Sequence, residues 1–117
     1  VNTPIAVLTN VDTASAAELL AAAFAARPQS RSFGEATRGA TTGTRTFGLS
    51  DGAALVLAVA STSDRNGRIY SGSIPPDQIV SAAERELPLT AQPAVRAASA
   101  WLLSGHGVPR AASCERW

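Results

Sequence analysis

At 117 residues and 12.0 kDa the chain is one domain at most, near the lower end of the common domain size. Ten basic residues, all arginine, stand against nine acidic ones, and a net charge of +1 excludes the cationic footprint that nucleic acid or an anionic membrane requires. One cysteine, Cys114, and one histidine, His106, exclude an internal disulfide and any metal cage built of cysteines or histidines, so no metal and no cofactor is expected. The apolar runs fall short of a membrane span, no signal peptide is expected within residues 1–117, and the first residue is Val1. The expectation is a chain trimmed or cut from something longer.

Pro4 to Thr9 is a short, β-branched apolar run without helical period and reads as a buried strand. After the turn Asn10 to Thr13, residues 15 to 26 are Ala, Leu and Phe at nearly every position, with Glu18 the only charge. Such a helix is apolar on all sides and calls for burial on all sides, but a two-layer fragment is expected to leave one side of it wet, with Leu19, Leu20 and Phe24 driving association. Pro28 stops it, and Ser30 to Gly34 offers the return strand of a β-α-β crossover. Gly34 to Gly43 reads as a loop. Thr44 to Leu49, the turn signal Asp51-Gly52 and the apolar run Ala53 to Ala60 predict a hairpin leading into a central strand. Arg68 to Tyr70 is a short strand, and Pro75-Pro76-Asp77 a turn. From Pro93 to Ser104, Val95, Ala98, Trp101 and Leu102 recur at helical spacing, with Pro93 at the first helical position and Gly105 at the stop. This helix is expected to pack one face on the sheet, with residues 106 to 117 an irregular tail.

Ser15 sits where a turn after a strand feeds a helix, the place where open α/β sheets put their active sites. A serine there can aim its hydroxyl into a crevice while the unpaired amides of the first turn, beginning with Ala16, face a developing oxyanion. Ser15-Ala16-Ala17-Glu18 equally matches a capping box, in which serine and glutamate close each other's amides and nothing reacts. Residue spacing leaves both readings open. Glu35 and Thr37 are read as pinning their loop. Gly34, Gly39 and Gly43 lack a Walker lysine, and their spacing fits no dinucleotide fingerprint. Asp64 to Gly67 is most simply a polar turn.

The ordered pieces VLTN, TASAAE, GEATRGATTG, LSDGAALVLAVA and GSIPPDQIV, spread over about two thirds of the chain, resemble the tail-specific, or C-terminal processing, serine peptidase superfamily. The resemblance implies an α/β fold: a partial ClpP/crotonase-like β-α-β core with a C-terminal helix. Residues 1–80 would be the C-terminal half of the peptidase core, and 81–117 the helix and tail of the same domain. It also implies that Ser15 is the nucleophile, that the Ala16 amide belongs to the oxyanion hole, and that Gly34, Glu35, Thr37 and Gly39 form the supporting loop. The processing branch carries its lysine base where this chain has Ala40, and a glutamine near Thr44. The branch similar to the tricorn core peptidases takes a histidine and a second serine from upstream of the nucleophile, and a glutamate near Tyr70 or Ser71, for which Asp64 is a substitute acid. A serine without a base is a poor nucleophile at neutral pH. His106 lies beyond the region of resemblance.

The function expected from the resemblance is therefore part of an exported serine endopeptidase of the tricorn-like branch, acting on peptides or unfolded protein, with its base supplied from outside this chain and the isolated chain inactive. Its expected partner besides substrate is the missing N-terminal half or a second copy. A non-catalytic binder of apolar ligands or peptides on the same fold is the alternative; a crotonase-like acyl-CoA enzyme would need an adenine pocket that the sequence does not offer. Cys114 reads as a tail thiol or as half of a disulfide to a segment outside the chain.

Overall fold

Strand β1 (Ile5–Thr9), helix α1 (Ala16–Phe24) and strand β2 (Ser30–Gly34) form the expected crossover, as seen in a computed structural model that describes residues 3–81 and 86–104. The two strands are parallel, in register from Ile5 opposite Ser30 to Thr9 opposite Gly34. Helix α1 is shorter than the apolar run. Ala25 has already left the helical region at ψ 142, Ala26 takes φ 57, and Pro28 bars a helical conformation for the residue before it. The Ala25 amide closes the end by donating to the carbonyls of Ala21 and Ala22.

A strand that periodicity did not single out, β6 (Gln78–Ile79), pairs in parallel with β2 and completes the sheet β1-β2-β6. Two residues carry too little pattern to be read as a strand. Between β2 and β6 lies a second, antiparallel sheet of β3 (Thr42–Gly48), β4 (Ala54–Ser63) and β5 (Ile69–Tyr70). Its hairpin turns at Asp51-Gly52 as expected: Gly52 takes φ 86, and Asp51 Oδ1 accepts the Ala53 amide at 3.0 Å. Strand β3 begins before Thr44, because the register shift between Gly43 and Thr44 absorbs an irregularity that would otherwise end the ladder.

Helix α2 (Pro93–Leu103) has Pro93 in its first turn and lies on β1 and β2, with Trp101 tilted against Phe33 at 5.9 Å between ring centres. Ser32, the neighbour of Phe33, points the opposite way and binds the Pro75-Pro76-Asp77 turn, which shares a cavity with Ala21 of α1 and Ala25 just past its end. The two helices therefore cover opposite faces of the parallel sheet. On the α1 side the buried cluster is Ala22, Tyr70 and Ile74, with Ala25 packed against it.

One burial expectation fails: of β1, read as a buried strand, only Thr9 is buried and Leu8 is 46% exposed. Leu19 and Leu20 on α1 are 54% and 60% exposed, the wet side expected of a helix with one layer of this chain over it. Strand β4 is central in the order β3-β4-β5, yet Leu55, Val56, Leu57 and Val59 are exposed on both of its faces. The radius of gyration, 17.1 Å, exceeds the roughly 13 Å of a compact domain of this length. Among the described residues no helix is long and apolar enough to cross a membrane. His106, Cys114 and the stop at Gly105 lie outside the described residues.

Candidate active site

The turn between β1 and α1 is built on Asn10. Its Oδ1 accepts the amides of Asp12 and Thr13, each at 3.0 Å, and the Thr13 hydroxyl at 3.2 Å, while the Asn10 amide donates to Thr13 Oγ1 at 3.0 Å. The closed turn delivers Ser15 to the N-cap of α1, beyond the C-terminal end of β1, with its side chain exposed. Ser15 has φ 54 and ψ −118. A non-glycine residue holds such a conformation only when its surroundings impose it, at a cost of about 1–3 kcal/mol. The next amide, that of Ala16, opens the helix and has no intrahelical partner. Strained hydroxyl and free amide thus sit side by side at the positive end of a helix dipole.

Glu18 supplies the constraint. Its side chain is fully buried, one turn into α1. Oε2 accepts the Ser15 amide at 2.8 Å, whereas Oε1 accepts the Thr37 hydroxyl at 2.6 Å and the Gly39 amide at 2.7 Å. Ser15 and Glu18 stand in the capping-box relation with both halves in place: the Glu18 half closes at 2.8 Å, whereas the Ser15 side chain faces the Glu18 amide without completing a full hydrogen bond. Burial pushes the Glu18 carboxyl up; the hydrogen bonds from Thr37, Gly39, Ser15 and the Ala40 amide outweigh it and hold the group below its ordinary range.

The loop that follows β2 is tied down at each step. Thr9 Oγ1 donates to the Glu35 carbonyl at 2.8 Å and the Glu35 amide returns to the Thr9 carbonyl at 3.0 Å, so Glu35 acts here through its backbone. Gly34 has φ 124, and a Cβ there would run into the Thr9 carbonyl oxygen. Thr37 is bound twice over: its hydroxyl also accepts the Ile74 amide at 2.8 Å. Arg38 meets Asp12 at 3.1 Å in an exposed ion pair, and its amide donates to the Thr13 carbonyl. Gly39 takes φ 98 against the backbone of Gly72 and Ser73. Ala40 follows, exposed, with no side-chain acceptor.

Asp64 is placed elsewhere. It accepts the Tyr70 hydroxyl at 3.1 Å and the amides of Asn66 and Arg68 at 2.9 and 3.1 Å, in a cavity shared with Ala21, Ala25 and Ala26 at the far end of α1 from Ser15. Burial raises its carboxyl, and these bonds together with the Arg68 charge bring it below the usual range. Of Tyr70 and Ser71, near which the glutamate of the resemblance would fall, Tyr70 is a buried core residue and Ser71 is exposed. Ser15, Ala16, Thr37 and Gly39 are thus brought together, with Gly34 and Glu35 holding the loop's root. Among the described residues no base is hydrogen-bonded to the Ser15 hydroxyl. Sequence reasoning saw Glu18 only as a cap. The signal was there in the lone carboxylate of an otherwise apolar helix, which must find donors if it is buried. Among the described residues no cluster of His, Cys, Asp and Glu could hold a metal ion.

A half-open crevice of about 150 Å³ lies at the C-terminal edge of the parallel sheet, lined by Leu8, Asn10 and Thr13 on one side and Val80, Pro93 and Val95 on the other.

No curated protein matches the chain. Among solved structures it is similar to a lipoprotein from Streptococcus agalactiae at 39% identity and TM-score 0.68, over 87% of this chain and 32% of that one. A candidate peptidase from Parabacteroides merdae (24% identity, TM-score 0.65, 86% of this chain, 32% of that) shares the fold. So does a candidate S41 protease from Bacteroides fragilis (21%, 0.65, 91% and 29%). The chain spans about a third of the length of these structures. The family model of Peptidase family S41 matches residues 1–80. By that match the chain belongs to peptidase family S41, with a partial α/β core of the family's fold.

Proposed function

We propose that the chain is part of a serine endopeptidase of the tricorn-like branch and cleaves peptide bonds through Ser15. The observation that carries this reading is the strained N-cap: a serine at φ 54, with an exposed hydroxyl, beside the open Ala16 amide. In this mechanism Ser15 Oγ attacks the scissile carbonyl carbon and its proton passes to a general base. The Ala16 N–H donates to the oxygen that becomes negative. Collapse of the tetrahedral intermediate breaks the C–N bond as the protonated base returns its proton to the leaving amine, and water then hydrolyses the acyl-serine by the same steps. Ala40 has nothing to offer as a base, so the base comes from a segment outside this chain. Loss of base assistance costs about two to four orders of magnitude in rate, and the isolated chain is inert or nearly so.

The exposed apolar faces of β4 and α1 support an extended partner surface, and we assign it to the N-terminal part of a longer protein, with self-association in its absence. Substrates are peptides or unfolded protein chains. An exported setting accords with the lipoprotein among the similar structures. The test is Ser15→Ala in the longer protein: peptide hydrolysis disappears while the fold persists, and retained hydrolysis overturns the assignment. A second reading, a non-catalytic binder of apolar ligands, is favoured by the crevice between Leu8, Val80 and Val95. Binding of a fluorescent fatty acid with full occupancy in Ser15→Ala and no peptide hydrolysis in the parent would select it.

A further inference from the structure

Donors from two separate segments converge on one buried carboxylate, among them the Ser15 amide on Oε2 of Glu18 and the Thr37 hydroxyl and Gly39 amide on Oε1. An ionised carboxylate accepts at both oxygens and donates nothing, so it alone among side chains of this length satisfies all of them at once. The segments it joins differ in role. One is the turn that holds Ser15 at φ 54, a conformation the residue does not choose by itself. The other is the loop whose next residue is Ala40. The strain at Ser15 therefore requires a restraint on its own amide, and the Glu18 carboxylate is the restraint present.

We infer that Glu18 is a positioning residue: its buried carboxylate clamps the Ser15 amide and the Gly39 amide together, holding Ser15 in its positive-φ conformation and fixing the loop after β2 relative to it. The inference deepens the reading of Ser15 as nucleophile and rests on it for its purpose. The clamp itself is tested without any catalysis. The carboxylate touches neither substrate nor reacting atom and acts through Ser15. A glutamine cannot replace it, because its amide nitrogen would present hydrogens to donors that already carry them.

The experiment is solution NMR on the whole 117-residue chain. A residue near φ +55 gives a strong intraresidue amide-to-α proton cross-peak, and Ser15 should show it in the wild type. In Glu18→Gln that cross-peak should weaken to the level of its neighbours. Exchange protection of the Ser15 and Gly39 amides should fall on the order of ten- to a hundredfold with the loss of a charge-assisted bond. The amides of Val7 and Phe33 in the parallel sheet should keep their protection, which separates loss of the clamp from loss of the fold.

If Glu18→Gln does not fold, the wild type answers alone. On acidification the Ser15 and Gly39 amide shifts should move together with one midpoint, that of Glu18. The other charged groups on the packed segments are Asp12 and Arg38, paired in solvent, and Glu35. Asp12→Asn and Glu35→Gln should leave that shared midpoint in place. Retention of the Ser15 cross-peak and of both protections in folded Glu18→Gln overturns the inference, as do separate midpoints for the two amides. Ser15→Ala keeps the residue-15 amide and hence the joint titration, so failure of the nucleophile reading and failure of the clamp give different results.

Discussion

Replacing Thr37 with valine keeps the shape of the side chain and removes one oxygen, so it isolates what that oxygen does. The Thr37 hydroxyl donates to Glu18 at 2.6 Å and accepts the Ile74 amide at 2.8 Å, and the residue is 4% exposed. Losing a hydrogen bond to a charged group costs about 1.5–3 kcal/mol, and stranding a buried amide costs about 1–3 kcal/mol more. The two overlap in one site, and we take roughly 3 kcal/mol as the sum. At about 3–5 °C per kcal/mol for a chain of this size, the unfolding midpoint should fall by about 10 °C. Thr37→Ser is the control, since it keeps both bonds and loses one methyl, worth about 0.8 kcal/mol. Urea denaturation followed by circular dichroism measures both variants. Equal stability of the valine and serine variants would refute the argument, because it would mean that the link from Ile74 through Thr37 to Glu18 contributes nothing.

Gly34→Ala should be more damaging than its one methyl suggests, because the new Cβ meets the Thr9 carbonyl at a φ of 124; a loss of about 3 kcal/mol or more in the same denaturation assay is expected. Ser15→Gly should stabilise the chain by about 1 kcal/mol while removing the hydroxyl, since glycine accepts φ 54 freely and costs only tenths as an N-cap. The folded-state value of Glu18 lies below its ordinary 4.5, so its contribution to stability is complete above about 4.5 and is lost as pH falls through the folded value. Stability of the wild type should therefore drop in acid more steeply than that of Glu18→Gln. Sedimentation equilibrium at micromolar concentration should show association of the isolated chain through its exposed leucines and valines; a purely monomeric 12.0 kDa species would contradict this.

The crossover was legible because its signals are local: an apolar strand, an apolar helix stopped before Pro28, a second strand, all in β-α-β order. The hairpin was legible from Asp51-Gly52 and the run that follows it. Burial was legible only in part, because pattern reports what a residue prefers to touch, while exposure reports what the chain has available. Leu19 and Val56 want cover on every side, and this chain has one layer to give them. Strand β6 was hidden for another reason: Gln78 and Ile79 pair with Phe33 and Gly34 through backbone groups that any residue possesses. At the site, Ser15 was legible from its place after a turn, but the strain that distinguishes it from an ordinary cap is a dihedral angle and leaves no mark in residue type. Glu18 was legible as half of a cap, which it is, but its further partners Thr37 and Gly39 were not, because they lie about twenty residues away.

The central claim is that Ser15 is a nucleophile whose base lies outside this chain. The most direct measurement is the site and rate of reaction with a fluorophosphonate probe, mapped by mass spectrometry of peptides, in the longer protein and in the isolated chain. The account predicts a single adduct on Ser15 in the longer protein, and labelling of the isolated chain slower by about two orders of magnitude or more. An adduct on another serine, or an unlabelled Ser15 in a longer protein that hydrolyses peptides, would contradict it.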